Sequence, residues 1–549
     1  MIKIKSIANN LLNPWIFFSL LVSIIISIPI LSLMTNLLFN YSDSWASIIH
    51  LDIWRYIFNS LNIIFFQSIF VILFGVSTAW VVTIYDFPLK NFFKFALLLP
   101  LSIPTYVAAI VYAGLFDYSS DFQIFLRNIT NIDINSPNIR SLSGVIFIFS
   151  ITLYPYVYIL SRAAFSEVSK NYSEVGKTLG LNTTNIFFKI FLPLTSFAIL
   201  GGTILSVLES LNDFGTVQYF GVDTFTTAIY KTWMGLGEIE TAAQLSIFFL
   251  FFILIIIFIY RRFTAFKKIN INTNIFYELK SIETNKLKGI FFFIICFIPV
   301  FLGFIIPFTF LIIWSFQSWD LNLIKVSLIN SFNTVTLAFF STLLIIILSI
   351  LINYSLRIRS TKLNIFFKNI SSLGYAIPGS VIAIGIIVPF VFLDDFIIHF
   401  FQTNLNKDLA PFFSGSVFVL IFAYVVRFFT ISQTNIETAF YRIPVSIDNT
   451  ATILGKKSFF TLCNVHIPIM SMSIILASIL IFIEIIKELS ATLILRPFNF
   501  NTLAVQVYEY ASEEKILESA VPSLIIVILC IIGIVSISKI NKIIFLSGK

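Results

Sequence analysis

Charge is scarce in this sequence: Asp, Glu, Lys and Arg make up 11% of the chain, less than half of the roughly 25% usual in soluble proteins. That excludes an ordinary water-soluble domain of this length. Cysteine is scarcer still. Cys296, Cys463 and Cys530 lie far apart and form no C-x-x-C pair, so neither a disulfide framework nor a zinc site is supported. The three histidines, His50, His399 and His466, are widely spaced. No Ser/His/Asp arrangement, dinucleotide-binding glycine pattern or cluster of metal ligands appears, so no catalytic residue, resident metal or cofactor is expected. The phosphate-cradling pattern G-x-x-x-x-G-K-[ST] is also missing; Leu454-Gly455-Lys456-Lys457-Ser458 lacks its first glycine. The chain reads as a non-enzyme.

What is abundant is apolar. Hydrophobic residues make up 58% of the chain, 65 of them phenylalanine, and the mean hydropathy is +0.96. About twelve stretches are long enough to cross a hydrocarbon layer, which takes roughly 20 helical residues: approximately 15–39, 57–84, 92–116, 142–162, 186–210, 241–260, 289–314, 330–356, 367–393, 413–433, 465–487 and 518–538. They are continuous rather than alternating, which excludes outer-membrane barrel strands. The fold class is therefore an all-α polytopic membrane protein. The first stretch follows Lys3 and Lys5 and has no small-residue cleavage site, so it reads as a retained helix rather than a removed leader.

The net charge of +8 is explained by topology rather than by nucleic acid, which is not an expected partner. With the N-terminus inside, the inner connections hold Lys90 and Lys94; Arg162, Lys170 and Lys177; seven basic residues between Arg261 and Lys288; Arg357, Arg359, Lys362 and Lys368; and Arg442, Lys456 and Lys457. The outer loops hold only scattered ones. This positive-inside bias puts both termini in the cytoplasm and membrane lipid around the chain.

The chain also repeats itself. Asn59-Ser-Leu-Asn62 recurs as Asn330-Ser-Phe-Asn333, and Gly180 through Pro193 recurs as Gly455 through Pro468, a shift of 275 (455 − 180). Glu209 and Asp213 recur as Glu484 and Glu488 at the same shift. Two homologous six-helix halves fused head to tail follow, running parallel because six is even. The divisions are 1–56, an N-terminal helix and outer loop; 57–262, a first transmembrane domain; 263–288, a cytoplasmic linker; 289–328, the first helix of the second half; and 329–540, a second transmembrane domain.

One inner connection reads Tyr172-Ser-Glu174-Val-Gly176-Lys-Thr-Leu-Gly180, then nine residues, then Ile190-Phe-Leu192-Pro193; the second copy keeps Ala451, Gly455 and Pro468, with Val465 and Ile467 at the aliphatic places. A short helix ended by a glycine, which tolerates the left-handed conformation at the position after a helix, is the local reading. Thr183 and Ser458 can cap the helix that follows. The pattern resembles the EAA loop of permeases of binding-protein-dependent ATP-driven (ABC) importers. The resemblance implies that Glu174, Gly176, Gly180, Pro193, Asn449, Ala451, Gly455 and Pro468 belong to two docking sites for a dimer of ATP-binding subunits. It also implies a periplasmic or extracellular substrate-binding protein, a bacterial plasma (inner) membrane location and ATP held only by the partner subunit. Gly176 replaces the second alanine of the motif and Asn449 its glutamate, so the two docking sites are expected to be unequal.

Glu209 to Gly221, Gly374-Tyr-Ala-Ile-Pro-Gly379 and Lys487 to Phe500 look like fused ferric-iron permeases, with thiamine, polyamine and phosphonate permeases sharing the architecture. A cation path should carry hard oxygen ligands. For Glu209, Asp213, Glu484 and Glu488 two readings stay open. They line the path, or they sit at the headgroup boundary with Glu484 paired to Lys487 at i, i+3. Asp394, Asp395 and His399 read as a solvated outer loop, and His50 and His466 as structural. An ion-coupled secondary transporter could use parallel repeats too, but it does not account for the paired loops.

Overall fold

Hydropathy builds this molecule first. The computed structural model describes residues 14–39, 52–130, 138–167, 178, 180–265, 281–372, 374–405 and 410–547. Among them, eleven helices are long and apolar enough to cross a membrane, or up to twelve if the pair Lys90–Ser102 and Thr105–Phe116, bent by 87°, is one span. The only sheet among the described residues is a two-residue parallel pairing of Tyr85–Asp86 with Ile282–Glu283, which ties the expected linker's end to the first half. Rows of exposed aromatics such as Phe58, Phe65 and Phe70, or Phe332, Phe339 and Phe340, make sense only against lipid.

Two expected spans are corrected. The stretch 92–116 turns sharply at Ile103–Pro104, where proline offers no N–H to continue the helix. The stretch 367–393 is likewise two pieces: Lys362–Ser371 ends before Gly374 and Pro378, and Gly379–Leu405 carries the crossing. The helix runs on to Leu405, so Asp394, Asp395 and His399 sit on it rather than in a loop. Asp394 is buried and accepts the N–H groups of Phe412, Phe413 and Ser414 at 3.0, 2.8 and 2.6 Å, tying down the next connection.

The repeat is structural as well as sequential. Leu142–Glu167 corresponds to Val417–Tyr441, and Leu192–Asn212 to Ile467–Lys487. Each of the latter pair is preceded by a π-turn, Phe187–Phe191 and Leu462–His466, just ahead of Pro193 and Pro468. The wider turn accommodates a proline that cannot donate and whose ring would clash one turn back. The residue capping the first of these spans is Asn182, whose side chain accepts from Asn185 N, one place earlier than Thr183; Lys457 takes the equivalent place before Ser458.

The first helix of each half crosses to the other. Pro14–Phe39 packs on Leu321–Ile358, Lys362–Ser371 and Gly379–Leu405, while Lys286–Gln317 packs on Ile53–Ile84, Thr105–Phe116 and Leu142–Glu167. With no hydrophobic drive between helices in lipid, such crossings depend on close backbone approach at small residues. Gly303 faces the Ile151 carbonyl and Gly385 the Pro29 carbonyl; a Cβ would fall 2.3 and 2.6 Å from those oxygens. Gly303→Leu should therefore cost at least about 1–3 kcal/mol in unfolding measurements in detergent. Gly235→Ala, where nothing lies within 4 Å, should stay within about 0.5 kcal/mol. Equal melting of the two variants would contradict the crossing geometry.

Candidate functional site

Helices Leu192–Asn212 and Ile467–Lys487 both stop among buried residues, and the chain turns at Asp213 and Glu488 into short helices, Gly215–Tyr219 and Ser490–Leu495. The turning carboxylates satisfy the new helix ends. Asp213 Oδ1 accepts Thr216 N at 2.8 Å and Glu488 Oε1 accepts Ala491 N at 2.9 Å, as a side chain at a helix start does. One turn earlier on each helix stand Glu209 and Glu484.

All four carboxylates line one cavity of about 90 Å³, together with Thr105, Tyr106, Tyr156, Asn212, Tyr375, Arg427 and Lys487. Their partners differ between the halves. Glu488 pairs with Arg427 at 3.0 Å and Glu484 with Lys487 at 2.9 Å. Glu209 accepts from the Tyr375 hydroxyl and Asp213 Oδ2 from the Thr105 hydroxyl, and no Lys or Arg within ion-pair distance is seen for either among the described residues. Sequence reasoning left lining and i, i+3 pairing as alternatives; at Glu484 the geometry has both at once. Arg427 was not singled out from the sequence. An arginine in the middle of the span 413–433 was the available signal, because a charge there needs a partner.

The glycines of the family-like strings have steric work here. A Cβ at Gly379 would fall 2.1 Å from Arg427 Nη1 and 2.7 Å from Glu488 Oε1, and one at Gly215 would fall 2.7 Å from Tyr106 Cβ. Bare backbone lets the buried ion pair and the tyrosine close against the two halves.

The second candidate region lies at the other repeat element. Glu174 and Gly176 fall outside the described residues. Gly180 and Gly455 are exposed, with φ of +73° and +69°, as the expected helix-ending role requires. Helix Val445–Ile453 has no buried residue; Asn449 is exposed, Ala451 half-buried, and Ile453 and Leu454 are 85% and 68% exposed. Pro193 and Pro468 stand second in the helices that follow. One side chain pins this short helix to the bundle. Asp448 accepts from Arg357 Nε at 2.9 Å and Nη2 at 2.5 Å, and buried His466 lies 3.0 Å away. Arg357 also donates to the carbonyls of Phe440 and Ile443 at 2.7 and 3.0 Å. Read from the sequence, Arg357 had only a topological meaning, as one of the basic residues of an inner connection. His50 lies outside the described residues.

Residues 71–268 match the family described as the binding-protein-dependent transport system inner membrane component. The Fe(3+)-transport system permease protein FbpB 2 of Haemophilus influenzae is 25% identical over 467 residues, covering 83% of this chain and 84% of that protein. The sulfate transport system permease protein CysT of Escherichia coli is 29% identical over 201 residues, 36% of this chain and 71% of that one. A putative 2-aminoethylphosphonate transport system permease protein, PhnV, of Salmonella paratyphi A is 22% identical over 209 residues, 38% and 73% of the two chains. The chain is an importer permease that carries a domain of this family over residues 71–268.

In the permease, the Arg427–Glu488 pair is the interaction most exposed to mutation, with side chains 9% and 5% exposed. Arg427→Met leaves a buried carboxylate uncompensated and should cost about 3–5 kcal/mol, whereas Arg427→Met with Glu488→Gln should recover most of that loss. Unfolding of purified variants measures both; a double variant no more stable than the single one would contradict the pairing.

Proposed function

We propose that this permease forms the membrane path of a ferric-iron importer, with two separate ATP-binding subunits docked beneath its halves and a substrate-binding protein delivering cargo at the outer face. Both termini lie in the cytoplasm on this reading, as the placement of Lys and Arg supports. ATP is bound by the partner subunits. The observation that carries the substrate is the cavity itself. Its four carboxylates against two cations leave a formal excess of two negative charges, which suits a cation seeking hard oxygen ligands. The relative named for Fe(3+) transport, matching along most of both chains, supports the same cargo.

An oxyanion is the second reading, since relatives named for sulfate and 2-aminoethylphosphonate match part of the chain and Arg427 and Lys487 line the cavity. Against it, each of those cations is already matched to a carboxylate at 3.0 or 2.9 Å.

The mechanism is alternating access. ATP-driven closure of the partner subunits pushes on the short helix 445–453 and on the matching sequence segment of the first half. Asp448, Arg357 and the π-turn at Leu462–His466 pass that push into Ile467–Lys487, whose far end carries Glu484 and borders the cavity. The first docking site keeps a motif carboxylate, Glu174, where the second has Asn449.

Reconstitution with the ATP-binding subunits and the binding protein tests this. ATP-dependent uptake of labelled ferric iron should exceed that of labelled sulfate. Glu174→Ala should lower uptake about tenfold, equivalent to roughly 1.4 kcal/mol, with Asn449→Ala milder. Equal losses would refute unequal docking, and sulfate uptake without iron uptake would refute the cargo.

A further inference from the structure

We propose that the cavity is a transit site for a hard, multiply charged metal cation in which the two halves do different jobs: Glu209 and Asp213 of the first half, with the free oxygens of Tyr106 and Asn212, form the ligand face, and Arg427 and Lys487 of the second half are fixed counter-ions to Glu488 and Glu484. This rests on the importer reading above and deepens it.

The division follows from matching the repeats position by position. Lys487 occupies the place of Asn212, and Arg427 that of Thr152, each at a shift of 275 (487 − 212 and 427 − 152). All four residues line the cavity. The same backbone positions thus bear cations in one half and neutral polar groups in the other. Glu488 and Glu484 are neutralised where they stand; Glu209 and Asp213 are held only by hydroxyls and a backbone N–H. The cavity's excess negative charge lies on the first half.

A second observation is independent of the carboxylates. Tyr106 and Asn212 are each 4% exposed and line the cavity, yet the Tyr106 hydroxyl and the Asn212 Oδ1 have no hydrogen-bond partner among the described residues. Buried oxygens without partners are unfavourable unless something else uses them, and a passing hydrated cation does so. Apart from Arg427 and Lys487, the polar groups of the wall are oxygens and one amide; no His, Cys or Met lines it, which selects against soft metals. Among the described residues no three His, Cys, Asp or Glu side chains converge as a resident metal site does. Loose ligation is what transport requires, since the ion must leave as well as enter.

Asp213→Asn and Glu209→Gln are the informative variants. Each keeps an oxygen to accept from Thr216 N or from Tyr375, so a purely structural carboxylate tolerates the change. In the full complex in proteoliposomes, each variant should retain its melting temperature and co-purify with the ATP-binding subunits. ATP-dependent ferric-iron uptake should fall by about tenfold or more, as expected where an intramembrane charge is functional. Unchanged iron uptake in both variants, with the wild-type complex moving iron, overturns the ligand face and leaves the importer reading intact. A wild-type complex that moves sulfate and not iron overturns both. Should either variant fail to accumulate, Asn212→Lys carries the test, because it places in the first half the residue the second half already has. It should abolish iron uptake while the complex still assembles; normal uptake overturns the proposal.

Discussion

A helix cannot stop inside a hydrocarbon layer unless something accepts the N–H groups of the segment that follows. In this permease that duty falls to Asp213 and Glu488, at the equivalent turn of each half. The requirement draws carboxylates into the middle of an apolar bundle and then demands that their charge be managed. In the second half, Arg427 and Lys487 manage it. In the first half, Thr152 and Asn212 stand at the corresponding places, and no cation there offsets Glu209 and Asp213. One backbone constraint, answered differently in two copies, thus yields a charged cavity at the meeting of the halves.

The rest of the fold serves that meeting. The crossing of each half's first helix onto the other keeps the two copies in register, and it depends on backbone approaching backbone at Gly303 and Gly385. Glycine at 379 and 215 brings the broken helices close enough to seat an ion pair and a tyrosine beside the turns. At the opposite end of Ile467–Lys487, the π-turn and Pro468 mark where the helix yields, next to the Arg357–Asp448 clamp. The exposed short helix Val445–Ile453 and the cavity therefore lie at opposite ends of one helix, Ile467–Lys487.

Much of this was legible in the sequence, because hydropathy and repetition are local properties. The spans, the two halves, the glycine-ended helix Val445–Ile453 and the matched set Glu209, Asp213, Glu484 and Glu488 follow from windows and offsets alone. What escaped depends on tertiary partners. The breaks at Ile103–Pro104 and at Gly374–Pro378 were hidden because their flanks stay apolar. Asp394 read as a loop residue because a charge pair interrupts the hydropathy; its role is to accept three N–H groups of a connection about eighteen residues on. The roles of Arg427 and Arg357 emerge only once Glu488 and Asp448 are seen beside them. The exchange of first helices leaves no trace in periodicity at all.

Access to the cavity tests the central claim most directly. Asn212→Cys, in a chain whose Cys296, Cys463 and Cys530 have been replaced, can be probed in the reconstituted complex with a membrane-impermeant thiol reagent applied from either face. Labelling from one face without nucleotide, and from the opposite face when ATP is bound but hydrolysis is blocked, is the predicted result. A thiol that resists the reagent from both faces in both states would contradict a path running through this cavity.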